Sequence, residues 1–182
     1  MTDNKLELID PATAKKSALP VRTGTIGPAV VDIASINKDL GVFTYDPGFG
    51  YTASTESRIT YIDGDAGVLL YRGYPIEQLA EKSTFMEVSY LLLYGELPSA
   101  KQLEEFTASI RHHTMINETL LRFFNGFHHN PHPMAMVSAV VASMSAFYHD
   151  TMDIHNPRQR EIFAHRIVAK IPTIAAAAHK HS

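Results

Sequence analysis

The chain has 182 residues, of which 45% are hydrophobic and 19% are charged, and its formal net charge is −3. A chain of this length and composition can bury a core, which excludes the disordered and low-complexity classes. It has no cysteine, which excludes a disulfide framework and any thiolate metal site.

The first predicted domain, residues 1–56, is rich in β-forming residues and in turn residues. The apolar stretch 21–33 is interrupted by glycines, and Phe43 and Tyr45 alternate with polar or small residues before a turn. Short apolar stretches bounded by turn residues are typical of strands. We therefore expect several short strands in this segment.

The N-terminal sequence does not resemble a targeting segment. Its first 17 residues lack an apolar stretch and carry acidic residues, and no arginine occurs before Arg22. The longest uncharged run, residues 133–148, is shorter than the roughly 20 residues that a bilayer span needs. We therefore predict a cytoplasmic protein that has no membrane as a partner.

The second predicted domain, residues 57–182, opens with a β-hairpin. Residues 58–62 favour a strand, Asp63 and Gly64 favour a turn, and residues 68–71 favour a returning strand. A helix is then expected from Pro75, because a proline at a helix start costs no hydrogen bond.

Four further helices are predicted before residue 150. The first two begin with capping boxes, in which a Ser or Thr and a Glu or Gln three residues later bind each other's backbone amides. The fourth is apolar on nearly all sides, which predicts burial on all sides. These helices are 84–95 (boxed by Thr84 and Glu87), 99–113 (boxed by Ser99 and Gln102), 118–127 and 133–149.

The last predicted helix is capped by Asn156 and has Pro157 at its first position. Pro172 is expected to kink or end it. Apolar sequence nevertheless continues to Ser182 without a capping residue or a turn. From this we expect the sequence to be part of a longer chain, incomplete at its C-terminus.

Three short patterns resemble ligand sites but do not meet the requirements of one. The G-x-G-x-x-A pattern at residues 48–53 is followed by a strand and not by the helix that a dinucleotide fingerprint requires. The acids at 63 and 65 lack the bidentate acid of a calcium loop. The histidines show no metal-ligand spacing, since Pro131 separates His128 from His132. We therefore assign no metal site, and no nucleophile elbow or P-loop occurs either.

Positive charge and histidine are concentrated in the second part of the chain. Residues 111–182 hold 7 Lys and Arg against 4 Asp and Glu, together with all ten histidines, whereas residues 1–110 hold 9 against 15. This part can attract an anionic ligand or an acidic neighbouring subunit. A chance excess of charge is the alternative interpretation.

The sequence resembles the citrate synthases over its whole length. The most specific stretch is residues 61–80, YIDGDAGVLLYRGYPIEQLA. The likeness is to the long bacterial (type II) form and implies a fold that is mainly α, the helical large-domain portion of the citrate synthase fold preceded by a small β-rich N-terminal region. The blocks that match in the family's order are VRTGTIGPAVVDI, GVFTYDPGFGYTASTESRITYIDGD, YLLLYGELPS, HTMI, HPM, AFYHD and NPRQREI.

This resemblance implies an activity without a cofactor. Citrate synthases condense acetyl-CoA with oxaloacetate and water to citrate and CoA, at the entry to the tricarboxylic acid cycle. A carboxylate removes a methyl proton, one histidine supports the enolate and a second polarises the oxaloacetate carbonyl. The family's catalytic residues match positions beyond the end of this sequence, so we assign none within residues 1–182 and expect this piece alone to be inactive. The implied partners are small-molecule substrates and further copies in a homodimer or homohexamer, without nucleic acid.

The resemblance also implies an allosteric NADH site, which some hexameric members of the long form possess. Arg166 and Lys170 are four residues apart, so both cations can reach one phosphate. His112 stands where some members have an arginine, and Arg111 is one position further back. The alternative is a solvated pair of cations with Met115 in the core. The residues that match the site are His113, Thr114, Met115, Tyr148, Arg166 and Lys170.

Two other functions stay open. The first is 2-methylcitrate synthesis from propionyl-CoA, against which the long β-rich segment argues. The second is a non-catalytic helical subunit that binds a nucleotide or a partner chain. Rates with the two acyl-CoAs distinguish the first from citrate synthesis, and the coding sequence beyond Ser182 tests the second.

Overall fold

The computed structural model describes residues 4–128 and 130–181. Small antiparallel sheets lie in the N-terminal part and helices make up most of the rest, which confirms the predicted mainly α class. The chain divides into two compact units, Met1–Leu79 and Ala80–Ser182, and each is described by itself. The boundary predicted between residues 56 and 57 stays a prediction.

The first unit begins with a three-stranded antiparallel sheet and a short helix. Its strands lie in the order β1-β2-β3. Ser17 of β2 is buried, and its hydroxyl donates to Asp39 of the helix at 2.6 Å. This contact between side chains 22 positions apart attaches the helix to the sheet. The elements are Lys5–Ile9 (β1), Lys16–Arg22 (β2), Val30–Val31 (β3) and Ile36–Leu40 (α1).

The alternation at Phe43 and Tyr45 does not produce a strand. Their side chains are 86% and 91% exposed. The Asp46 carboxylate accepts from the backbone amides of Gly50 and Tyr51, at 3.1 and 3.0 Å. Side chains that bind nearby amides in this way compete with strand pairing.

The predicted hairpin is present. Thr60–Asp63 (β4) pairs with Val68–Tyr71 (β5) in antiparallel register, and the Asp63 side chain accepts from an amide in the turn. A third strand, Tyr74–Pro75 (β6), pairs with β5. Helix α2, Ile76–Lys82, therefore begins one residue after Pro75.

The second unit is helical. Both predicted capping boxes form, and the Asn156 side chain accepts from the amides of Arg158 and Gln159 as predicted for a cap. Within the described residues, no helix is both long enough and apolar enough to cross a membrane. The α-helices are Phe85–Tyr94 (α3), Ala100–His112 (α4), Glu118–Arg122 (α5), Pro133–Ser143 (α6) and Pro157–His181 (α7), and the 3-10 helices are Phe123–Gly126, Met144–Ala146 and His149–Thr151.

Two predicted helices are shorter than expected. The helix predicted over 118–127 becomes a 3-10 helix after Arg122, and the one predicted over 133–149 ends at Ser143. The second is also not buried on all sides, because Met134 is 61% exposed. Its buried residues follow one stripe that packs against α7. An apolar sequence shows where burial is possible, but a neighbouring element decides which side is covered.

Helix α7 continues through Pro172, so that proline does not end it. Residues on both sides of the proline are buried, Ala169 at 4% exposure and Ile174 at 0%. Ile174 belongs to the main core together with α5 and α6 residues, and Ala169 packs with α4 in a second cluster. Packing along the helix thus compensates for the hydrogen bond that a proline removes.

Candidate functional site

The residues predicted for the effector site come from three segments of the second unit. His113, Thr114 and Met115 follow the end of α4, and Tyr148 lies between two 3-10 helices after α6. Arg166 and Lys170 occupy adjacent turns of α7. The contacts between these segments define what we call the cationic cluster, formed by the side chains of Tyr148, Asp150, Arg166 and Lys170 and the backbone carbonyls of His113 and Met115.

Arg166 is held by a carboxylate that the sequence analysis did not select. Its two terminal nitrogens, Nη1 and Nη2, donate to the two oxygens of Asp150, each at 2.7 Å. Nη1 also lies 3.2 Å from the Thr151 hydroxyl. A two-pronged pair of this kind fixes the guanidinium plane as well as its position.

Lys170 is buried, with 3% exposure, and binds the segment after α4. Its Nζ donates to the carbonyl oxygens of His113 at 2.6 Å and Met115 at 2.5 Å. Both residues lie beyond His112, the last residue of α4, so their carbonyls have no donor within that helix. The lysine therefore satisfies these acceptors and attaches α7 to the end of α4.

The Tyr148 ring lies against both cations. The Arg166 Cζ atom is 4.8 Å from its centroid, and the Lys170 Nζ atom is 5.2 Å from it. The negative face of an aromatic ring attracts cations at these distances. Tyr148 thus lets two positive charges lie close together in a partly buried place.

The electrostatics of the cluster favour anions. Burial, and next the positive charge of Arg166, lower the pKa of His113. The hydrogen bond from Arg166 holds the pKa of Asp150 below its usual value, and the same bond raises the pKa of Arg166. His113 is therefore uncharged near neutral pH, while Asp150 is the negative group that faces Arg166.

The two cations are not a solvated pair, since the Arg166 side chain is 12% exposed and Lys170 is buried. Met115 is not a core residue either, because it is 82% exposed. Thr114 is exposed and donates from its hydroxyl to the Arg111 carbonyl at 2.8 Å. The structure therefore brings together the side chains of Tyr148, Arg166 and Lys170. His113 and Met115 contribute their backbone carbonyls, and the Thr114 hydroxyl binds within its own segment.

Sequence reasoning missed Asp150 and Thr151. Asp150 ends the AFYHD string, from which only Tyr148 was selected, so an acid close to an aromatic residue was the available signal. At His112, where some citrate synthases have arginine, the ring packs edge-to-face on His113 at 5.3 Å. Within the described part of the chain, no group of three or more His, Cys, Asp or Glu residues could hold a metal ion.

Comparison with known proteins identifies relatives for most of the chain. A family model described as citrate synthase, C-terminal domain, matches residues 48–182. This match includes every residue of the cationic cluster.

Three solved structures are similar to the chain. A citrate synthase from Thermoplasma acidophilum, in a ternary complex with carboxymethyl coenzyme A and oxaloacetate, is 26% identical over 74% of this chain with a TM-score of 0.67. The Pyrobaculum aerophilum enzyme is 29% identical over 76% with a TM-score of 0.63. The Thermotoga maritima enzyme is 31% identical over 76% with a TM-score of 0.61. This chain covers only 35% to 38% of the length of those three chains.

Proposed function

The chain belongs to the citrate synthase family, and from that premise we propose that its protein condenses acetyl-CoA with oxaloacetate and water to form citrate and CoA. The family match over residues 48–182 carries this proposal. One similar structure holds a coenzyme A derivative together with oxaloacetate, which are ligands of the kind that this reaction needs. The long bacterial form, a cytoplasmic location and a homodimer or homohexamer complete the proposal.

The catalytic groups are proposed to lie outside these 182 residues. The chain spans about a third of the length of the similar structures. The cationic cluster offers no free carboxylate base for removing a methyl proton, because Asp150 is engaged by Arg166. The described helices are therefore assigned a scaffolding role for the reaction.

An assay of thiol release with the complete protein tests the reaction. We expect CoA release from acetyl-CoA that depends on oxaloacetate, a lower rate with propionyl-CoA, and none from residues 1–182 alone. A higher rate with propionyl-CoA would favour 2-methylcitrate synthesis. Absence of release with either acyl-CoA would contradict the proposed activity.

We further propose that the cationic cluster binds NADH as an effector, with Asp150 occupying the place of a phosphate in the unliganded state. The two Asp150 oxygens meet Arg166 as two phosphate oxygens would, and 60% of the Asp150 side chain is exposed. An exposed carboxylate can move aside when a phosphate with more charge arrives. Lys170, held by two carbonyls, then supports the segment 113–115 beside the ligand.

Titration of the complete protein with NADH tests this second proposal. We expect Arg166→Ala to weaken NADH binding at least about tenfold, since a guanidinium that can bind two phosphate oxygens is lost. Asp150→Asn is expected to tighten binding severalfold, because a competing anion is removed. Arg122→Ala, on an exposed arginine paired with Glu118 in its own helix, is the control and should leave affinity unchanged. Unchanged affinity in Arg166→Ala would place the effector elsewhere.

A further inference from the structure

A second polar arrangement lies between α3, α4 and α7, and the proposed reaction does not use it. The ring of His165 is buried and both of its nitrogens have partners. Nδ1 lies 2.8 Å from the Ser109 hydroxyl and Nε2 lies 2.8 Å from the Tyr94 hydroxyl. The Tyr94 hydroxyl in turn donates to Glu161 Oε1 at 2.7 Å. We call these four side chains the acceptor chain.

The Glu161 carboxylate, at one end of the acceptor chain, determines the directions of these hydrogen bonds. A carboxylate only accepts, so the single hydroxyl proton of Tyr94 goes to Glu161. Tyr94 must then accept from His165, which places the ring proton on Nε2. Nδ1 is left as an acceptor and takes the proton of Ser109. The donor protons of Tyr94, His165 and Ser109 are thereby all used in hydrogen bonds within the acceptor chain.

His165 adds no positive charge to this arrangement. Burial is the main cause that lowers its pKa, so the ring is neutral near pH 7. Burial and the hydrogen bond to Glu161 raise the pKa of Tyr94, which keeps that hydroxyl protonated. The net charge of the acceptor chain is that of the Glu161 carboxylate.

All four members line one cavity of about 360 Å³. Its remaining walls are Tyr90, Gln102, Glu105 and Phe106, so no lysine or arginine of the described residues contributes to the lining. Glu105 is exposed and has a loose pair with Lys101 at 3.8 Å, which is a weak interaction in solvent. Arg160 lines the adjoining cavity and donates to the Ile154 carbonyl instead.

The lining defines the chemistry of a ligand. Since the protons of Ser109 and Tyr94 are already used, these oxygens offer only lone pairs to the cavity. Glu105 and Glu161 add two carboxylates, and the rings of Tyr90 and Phe106 pack edge-to-face with centroids 5.5 Å apart. Lone pairs, negative charge and aromatic surface together favour a cation that carries N–H donors.

Nucleophilic chemistry is excluded by the same geometry. Ser109 contacts a histidine as a catalytic serine does, but it lies within α4, whose backbone amides bond inside the helix. The amides of α4 next to Ser109 are therefore not available to stabilise an oxyanion. Binding is the function that this cavity supports.

We propose that the cavity between α3, α4 and α7 is a binding site for a small alkylammonium compound, whose ammonium group is bound by Glu161, Glu105 and the oxygens of the acceptor chain. This site is distinct from the cationic cluster. His165 and Arg166 are consecutive on α7 and so point about 100° apart. One helix thus carries an anion-binding side and a cation-binding side.

Calorimetric titration of the complete protein with 1,4-diaminobutane tests the site, with 1,4-butanediol as the uncharged counterpart. We expect saturable binding of the diamine and none of the diol. Glu161→Gln keeps an oxygen that accepts from Tyr94 but removes the negative charge. Because a charge in contact with the ammonium group is lost, this variant should bind the diamine at least about tenfold more weakly. Glu105→Gln should weaken it less, because Glu105 lies outside the acceptor chain.

Glu104→Gln is the matched control, since Glu104 is the neighbouring acid in α4 and does not line the cavity. It should leave the affinity unchanged. Equal losses in Glu104→Gln and Glu161→Gln would show a bulk charge effect and overturn the proposal. Equal binding of the diol, or no binding of the diamine, would overturn it as well.

Discussion

Two sides of α7 carry polar pairs with the same spacing but with opposite charge preferences for a ligand. Arg166 and Lys170 are four residues apart, and so are Glu161 and His165. In the cationic cluster, both positive charges already have partners within the protein, a carboxylate for one and two carbonyls for the other. In the acceptor chain the protons are used internally while the oxygens still face a cavity.

The difference shows that a shared helix face does not define a site by itself. Two residues four apart lie on one side of a helix whatever their chemistry. Which of them stays available to a ligand depends on partners from other helices. The cationic cluster must release a partner before it binds an anion, whereas the acceptor chain needs no release before it binds a cation.

The largest expected effect concerns the internal partners of Lys170. We expect Lys170→Met to lower the free energy of unfolding by about 2–4 kcal/mol, because two hydrogen bonds from a buried, charged donor are lost. Urea denaturation of the protein measures this change. Lys101→Met, at a lysine whose side chain is 85% exposed, should change it by less than about 0.5 kcal/mol. An equally small change in Lys170→Met would mean that the cluster is not held together by this lysine.

A smaller effect is expected on the other side of the helix. His165→Phe keeps a ring against Phe106, whose centroid is 5.1 Å away, but removes two hydrogen bonds. Ser109 and Tyr94 are only partly buried and can bind water instead, so we expect a loss of about 1 kcal/mol at pH 7.5.

The pH dependence of that loss distinguishes the two sides further. The folded state lowers the pKa of His165, mainly through burial, while Glu161 on the same helix opposes the shift. The unfolded chain therefore binds a proton first, and wild-type stability falls as the pH drops below the ordinary value of 6.5. Tyr94 from α3 and Ser109 from α4 carry no charge in this range. The deficit of His165→Phe should shrink between pH 7.5 and 5, and a constant deficit in urea denaturation would contradict a buried neutral histidine.

Local sequence signals predicted much of the fold. Capping residues located the starts of α3, α4 and α7, because a cap acts within three residues of the chain. Helix α1 was missed, since it has no capping hydrogen bond from Ser35 and is attached to β2 by the hydrogen bond from Ser17 to Asp39, 22 positions away. The burial of α6 was predicted wrongly on the sides that no described element covers.

The candidate site was predictable only in part for the same reason. Spacing placed Arg166 and Lys170 together, but the partner Asp150 lies 16 positions away in a 3-10 helix. The acceptor chain joins Tyr94 to His165 across 71 positions, and no pattern along the sequence connects them. Interactions between helices are set by packing, which a single sequence shows only through resemblance to a family.

The smallest expected effect concerns Asp150, whose side chain is 60% exposed. Asp150→Asn should lower the free energy of unfolding by about 0.5 kcal/mol at pH 7, since solvent screens much of the attraction to Arg166. The folded-state pKa of Asp150 lies below its ordinary value of 3.8, so the wild-type advantage is present above that pH and is lost as the pH falls through the folded pKa. Denaturation curves at pH 7 and pH 3 measure both values. If the stability difference between wild type and Asp150→Asn were the same at the two pH values, the asparagine would be disturbing packing and not charge. The comparison between an internally paired side and an open side of α7 would then lose its electrostatic basis.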